Sequence, residues 1–109
     1  MVVKIQNYKD AFNVKKDYVE CHHISRDMLL NGDNQALAKT LATLSALAEQ
    51  VNKERWSGYH KLYKKLLEQL KDLDSFPFDQ EDLREQLSDL DQKIKQKENI
   101  TSVPIKLKE

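Results

Sequence analysis

NQALAKTLATLSALAEQVNKERWSGYHKLYKKLLEQLKDL, residues 34–73, is the stretch whose reading decides the fold. At helical spacing it sets Leu37, Leu41, Leu44, Ala48, Val51, Arg55, Gly58 and Leu62 on one line, in alternating steps of four and three. Tyr63, Leu66, Leu70 and Leu73 continue it, and no proline interrupts. Such an apolar stripe is the pattern of an amphipathic helix. Unbroken, it would be about 60 Å long at about 1.5 Å per residue. The seam weakens at one place. Arg55 and Gly58 occupy apolar positions beside Trp56 and Ser57, and the register slips after Leu62. A Ser-Gly pair is a known cause of helix kinks, so a break between Asn52 and Tyr59 is an open expectation.

Two further helices flank this one. The first is expected over about residues 8–30, with Ala11, Val14, Tyr18, Cys21, Ser25 and Met28 on its apolar line. Phe12, Val19 and Leu29 widen that line. It should stop at Asn31-Gly32, because glycine past a helix end takes the left-handed conformation without steric cost. Asp33 then stands where an N-cap is wanted. The second turn is Asp74-Ser-Phe-Pro-Phe-Asp79, where Pro77 pushes Phe76 out of the helical region. Asp79 is the expected cap of a helix over about 80–98, built on Leu83, Leu87, Leu90 and Ile94, with Phe78 stapled to Leu83. Residues 1–7 and 99–109 read as extended or frayed termini: Val2-Val3-Lys4-Ile5 is β-branched, and Val103 to Lys108 alternates apolar residues with lysine. Pro104 would confine any strand there to an edge.

The expected class is therefore all-α, one helical domain over 1–109. Each short turn sets an outer helix antiparallel to its half of the middle one. A straight middle helix leaves the protein two helices thick, so a second copy or a partner helix must complete it. A break near Gly58 gives a four-helix bundle instead.

Composition narrows the function. Two glycines and two prolines argue against loop-rich enzyme sites, and a formal net charge of zero offers no global field to nucleic acid or anionic membrane. The single cysteine excludes an internal disulfide. No apolar run approaches the roughly 20 residues of a membrane span, and the N-terminus carries no secretory core. A cytoplasmic protein is the resulting expectation.

Cys21-His22-His23 has metal-ligand residue types at the wrong spacing. Neighbouring helical side chains diverge by about 100°, so three in a row do not converge on one ion. No metal, cofactor or catalytic constellation is expected, and Cys21 is read as a small core hydrophobe. Lys61, Lys64, Lys65 and Lys71 form a basic strip that could meet phosphates, with Tyr59 and Tyr63 beside it to stack bases. An acidic helix follows, carrying Asp79, Glu81, Asp82, Glu85, Asp89 and Asp91 against Arg84 alone. Complementary charges along a helix–helix seam are the preferred account of both runs, since the adjacent acidic helix would repel a phosphate ligand.

Trp56-Ser57-Gly58, mid-chain in a helical protein of this size, resembles the secreted helical hairpins of type VII secretion. The resemblance implies that the tripeptide forms the turn between two long helices. The chain differs in its better turn at Asn31-Gly32-Asp33 and in a C-terminal tail without that family's tyrosine-x-x-x-acid signal.

The reading reached is a non-enzymatic protein-interaction module acting through a helical apolar face: an adaptor, a chaperone-like binder or a small inhibitor. Its expected partner is another protein, with self-association as a homodimer. The contact residues are Leu44, Val51, Trp56, Tyr59, Leu62, Tyr63, Leu66, Phe76 and Phe78, since large side chains dominate interface energetics. Nucleic-acid binding through the lysine strip is the alternative.

Overall fold

The computed structural model describes residues 2–32, 34–100 and 102–109. Among them it contains five α-helices and no strand: α1 (Val2–Asp10), α2 (Tyr18–Leu30), α3 (Gln35–Asn52), α4 (Trp56–Asp72) and α5 (Gln80–Lys95). A π-helical turn, Ala11–Lys15, extends α1. The class is all-α, but the three long helices of the sequence reading are five shorter ones.

The middle helix breaks, and it does so before Gly58. Glu54 takes the left-handed conformation at φ 57°. Its N–H donates to Val51 O at 3.1 Å, and the N–H of Arg55 donates to Gln50 O at 2.8 Å. This pair of bonds is the Schellman termination. Three residues therefore reverse the chain, and α4 folds back on α3. Gly58 lies inside α4 and is helical. It matters there for closeness: a Cβ on it would fall 2.6 Å from Gln50 Oε1. A straight 34–73 helix of about 60 Å would exceed the longest dimension of the molecule, 40 Å. The radius of gyration is 13.1 Å, the value expected of a folded chain of this length, about 13 Å.

The first helix is also divided. Lys16, at φ 51°, closes the π turn, and Asp17 Oδ1 then caps α2 by accepting from Glu20 N at 3.0 Å. The extra residue of the π turn rotates the stripe. Ala11, Tyr18, Cys21, Ser25 and Met28 are buried as expected, but Val14 is 78% exposed. Residues 2–5, read as extended, are the first turn of α1, with Ile5 and Tyr8 inward.

The end of α2 is where the sequence sets it, with Gly32 at φ 76°. Asp33, the expected cap, lies outside the described residues; Asn34 Oδ1 accepts from Leu37 N at 3.2 Å and caps α3. Asp79 caps α5 as expected, accepting from Asp82 N at 3.0 Å.

Helix α3 is the central element, with α2 and α4 packed on either side. Ten of its 18 residues are buried. Its hydroxyls tolerate burial because each bonds to a carbonyl one turn back, as Thr40 Oγ1 does to Ala36 O at 2.8 Å and Ser45 Oγ to Leu41 O at 3.0 Å. Tyr8 crosses to the same helix, donating its hydroxyl to Leu41 O at 2.6 Å. Leu83, Leu87 and Leu90 of α5 close the core, and the tail adds Val103, Ile105 and Leu107. No described helix is long and apolar enough to cross a membrane.

Candidate interaction surface

The fold-back supplies the layer that a second chain would otherwise have provided, and it uses up most of the expected contact residues. Leu44, Val51, Tyr59, Leu66 and Phe78 are buried within the chain. Trp56, Leu62, Tyr63 and Phe76 are half-buried against the same core. The aromatics pair with one another: Trp56 stands edge-on to Tyr59 at 6.2 Å, Tyr59 lies 5.7 Å from Tyr63, and Phe76 stands edge-on to Phe78 at 5.6 Å. Tyr59 also donates its hydroxyl to Asp91 Oδ1 at 2.9 Å. Burial first, and then this bond, push the Tyr59 phenol far above its ordinary value.

Lys61, Lys64, Lys65 and Lys71 are all exposed along α4. Buried Tyr59 has no face free for a base. Among the described residues, the ion pairs of α5 run to Lys95 (from Asp91, 3.0 Å) and to Lys108 (from Asp82, 3.6 Å), not to the α4 lysines.

Cys21 and the two histidines diverge. The thiol is buried, and Sγ approaches Tyr8 O at 3.7 Å. Burial, followed by the negative charges of Asp17 and Glu20, pushes its pKa up to about 12. His22 and His23 are exposed. Among the described residues no group of three His, Cys, Asp or Glu is placed to hold a metal ion.

Small residues open a groove on the surface. An open groove of about 750 Å³ runs between α2 and α4, with α3 as its floor. Ala38, Ala42 and Ala46 recur every fourth residue and form one face of that floor. Leu29 of α2 and Leu62 of α4 are its apolar walls. Every charged or titratable side chain along it is basic: His22 and Arg26 from α2, Lys39 from α3, Lys65 from α4. Gln69 also lines it, and its Oε1 is buried without a hydrogen-bond partner. A buried carbonyl oxygen left unpaired costs roughly 1–3 kcal/mol. Of the expected contact residues only Leu62 lines this groove. The alanines carried no sequence signal as anchors, although their fourfold spacing on a helix flanked by two others is what leaves the depression.

Trp56-Ser57-Gly58 opens α4, and the turn precedes it at Lys53–Arg55. The structure thus sets the reversal one step upstream of the tripeptide. No family model matches the chain, and no curated protein or solved structure matches it.

Proposed function

We propose that this chain is a non-enzymatic protein-interaction module that receives an amphipathic helix of a partner protein in the α2–α3–α4 groove. The observation that carries the reading is an alanine floor whose charged lining residues, Arg26, Lys39 and Lys65, are all cations. Alanines at every fourth position let another backbone approach closely, and apolar walls reward its hydrophobic face. Arg26, Lys39 and Lys65 favour a helix whose flanks are acidic. The floor from Ala38 to Ala46 is about 12 Å long, enough for about two turns of such a helix. The expected homodimer loses its main reason once α4 covers α3, so the occupant proposed is a different chain.

The test uses helical peptides of about 20 residues, long enough to hold a helix. One carries an alanine-and-leucine face flanked by glutamates; its counterpart carries lysines. Fluorescence anisotropy should show binding of the acidic peptide alone. Reversing Arg26 and Lys65 to glutamate should weaken it by about tenfold or more, or about 1.4 kcal/mol. Ala42→Trp, which fills the floor, should abolish it. Equal binding of both peptides, binding of neither, or indifference to Ala42→Trp would overturn the proposal. Binding of an oligonucleotide instead, lost in Lys64→Ala with Lys65→Ala, would favour the lysine strip.

A further inference from the structure

The tail lies extended along a second groove, between the α1–π segment and α5. Its alternation is realised: Val103, Ile105 and Leu107 are buried at 2–3% exposure, while Pro104, Lys106 and Lys108 face solvent. Side chains hold its backbone, with no neighbouring strand. Asn13 Nδ2 donates to Leu107 O at 2.8 Å, and Asn13 Oδ1 accepts from Leu107 N at 2.8 Å. Gln86 repeats the device from the other wall: Nε2 donates to Lys106 O at 2.9 Å and Oε1 accepts from Lys106 N at 2.8 Å. The N–H of Asp79 donates to Lys108 O at 2.6 Å. A carboxamide that takes both the N–H and the C=O of one residue does what an adjacent strand does in a hydrogen-bonded pair.

Two features distinguish this seat from ordinary core packing. The amides read main chain, so they are indifferent to side-chain identity. The apolar pockets ask only for aliphatic residues at alternate positions, which is how extended peptides are recognised in trans. An open cavity of about 360 Å³ lies beside the tail and is lined mostly by the tail itself, from Ser102 to Lys108, with Lys16, Asp82 and Gln86 opposite. The charged ends add little that is specific: Lys108 meets Asp82 at 3.6 Å, and Glu109 meets Lys9 at 3.4 Å, all partly exposed. The tail forms no helix or sheet of its own, so its departure would take main-chain partners from Asn13, Gln86 and the Asp79 amide, while Gln86 Nε2 keeps its bond to Asp82 Oδ2 at 2.6 Å.

We propose that this groove is a docking site for an extended segment of a partner protein with aliphatic side chains at alternate positions, and that residues 103–109 are the resident occupant which such a segment displaces. The site is independent of the α2–α3–α4 groove, and so is its test. Leu107→Asp in the full chain should release the tail. Three labelled peptides serve as probes: SVPIKLKE, the unrelated alternating SIQVQIQE, and SIVIQQQE, in which the aliphatics are consecutive. The released chain should bind the first two within about tenfold of each other and the third at least about tenfold more weakly. Asn13→Ala or Gln86→Ala should cost a similar factor. Wild type should bind all three more weakly than the released chain, because its own tail competes. A folded variant that binds none of them, or only its own sequence, overturns the proposal. Should Leu107→Asp fail to fold, hydrogen exchange on wild type decides. Excess SIQVQIQE should speed exchange of the Lys106 and Leu107 amides and leave that of Leu44 in α3 unchanged. No change in the tail amides at millimolar peptide overturns it.

Discussion

Glu54→Gly and Gly58→Ala, measured as a pair, locate the reversal between α3 and α4 energetically. An L-residue in the left-handed region costs roughly 1–2 kcal/mol, and Glu54 holds φ 57°. Glycine removes that cost but gains freedom in the unfolded chain worth roughly 0.4–1 kcal/mol. The side chain of Glu54 is exposed, so little else is lost. The net expectation is a stabilisation of about 0.5–1 kcal/mol, or a rise in Tm of about 3–6 °C for a domain of this size. For Gly58→Ala, helix propensity favours alanine by about 1 kcal/mol. The new methyl meets Gln50 Oε1 at 2.6 Å, the far end of a flexible side chain that can swing aside. The expected outcome lies between neutral and about 0.5 kcal/mol stabilising, after that repacking cost. Urea titration monitored by circular dichroism reads both. If Gly58→Ala loses more than about 1 kcal/mol while Glu54→Gly gains nothing, the left-handed residue is Gly58, and the reversal placed at Glu54 is wrong.

Two further outcomes follow from the buried titratable groups. Cys21 should react with a thiol reagent at least about a thousandfold more slowly in the native protein than in denaturant, since the thiol is buried and must await opening of the fold; prompt native labelling would show that it is accessible. The fold should also weaken in alkali. Burial raises Cys21 from 9.0 and Tyr18 from 10.0, each to about 12. The neutral forms are favoured in the fold, so their stabilisation is complete below about pH 9 and is lost as pH rises toward about 12. The urea midpoint should hold steady to about pH 8.5 and fall above about pH 9.5, and Cys21→Ala should move the onset toward about pH 10; a flat profile to about pH 11 would refute the burial argument.

What the sequence made legible are features whose signal is local. Gly32 ends α2 because glycine is the natural left-handed residue, and Asp79 caps α5 because a carboxylate there meets free amides. The breaks at Lys16 and Glu54 carry no such mark. Both use L-residues at left-handed positions, where a glycine would have announced the turn. Trp56-Ser57-Gly58 offered a visible but misleading signal a few residues downstream. The apolar stripe ran through the first break and only weakened at the second, where Arg55 and Gly58 stand on it. In the first half it survived because only Val14 and the flanking Val19 fall out of line, both exposed. In the second it survived because α3 and α4 each need a buried face whether or not they are continuous. Burial patterns record which side chains face inward, and two antiparallel helices satisfy the same pattern as one straight one.

The candidate site was harder to read for a related reason. Sequence reasoning looks for anchors among large side chains, and here the core claims them: Tyr59 is buried and bonded to Asp91, and Phe78 is buried under the second turn. A groove is made where side chains are small, and Ala38, Ala42 and Ala46 look like helix-formers until α2 and α4 are known to stand on either side. The tail shows the same limit at longer range. Its alternation was legible as an extended segment, and that part holds. What holds it are amides at Asn13 and Gln86, 94 and 20 residues away in the chain. A strand pattern implies a partner with matching backbone donors and acceptors, and the other segment read as extended, residues 2–5, is instead the start of α1. Side-chain carboxamides can supply the same donor–acceptor pair from a helix, where nothing in the local sequence distinguishes them from any exposed Asn or Gln.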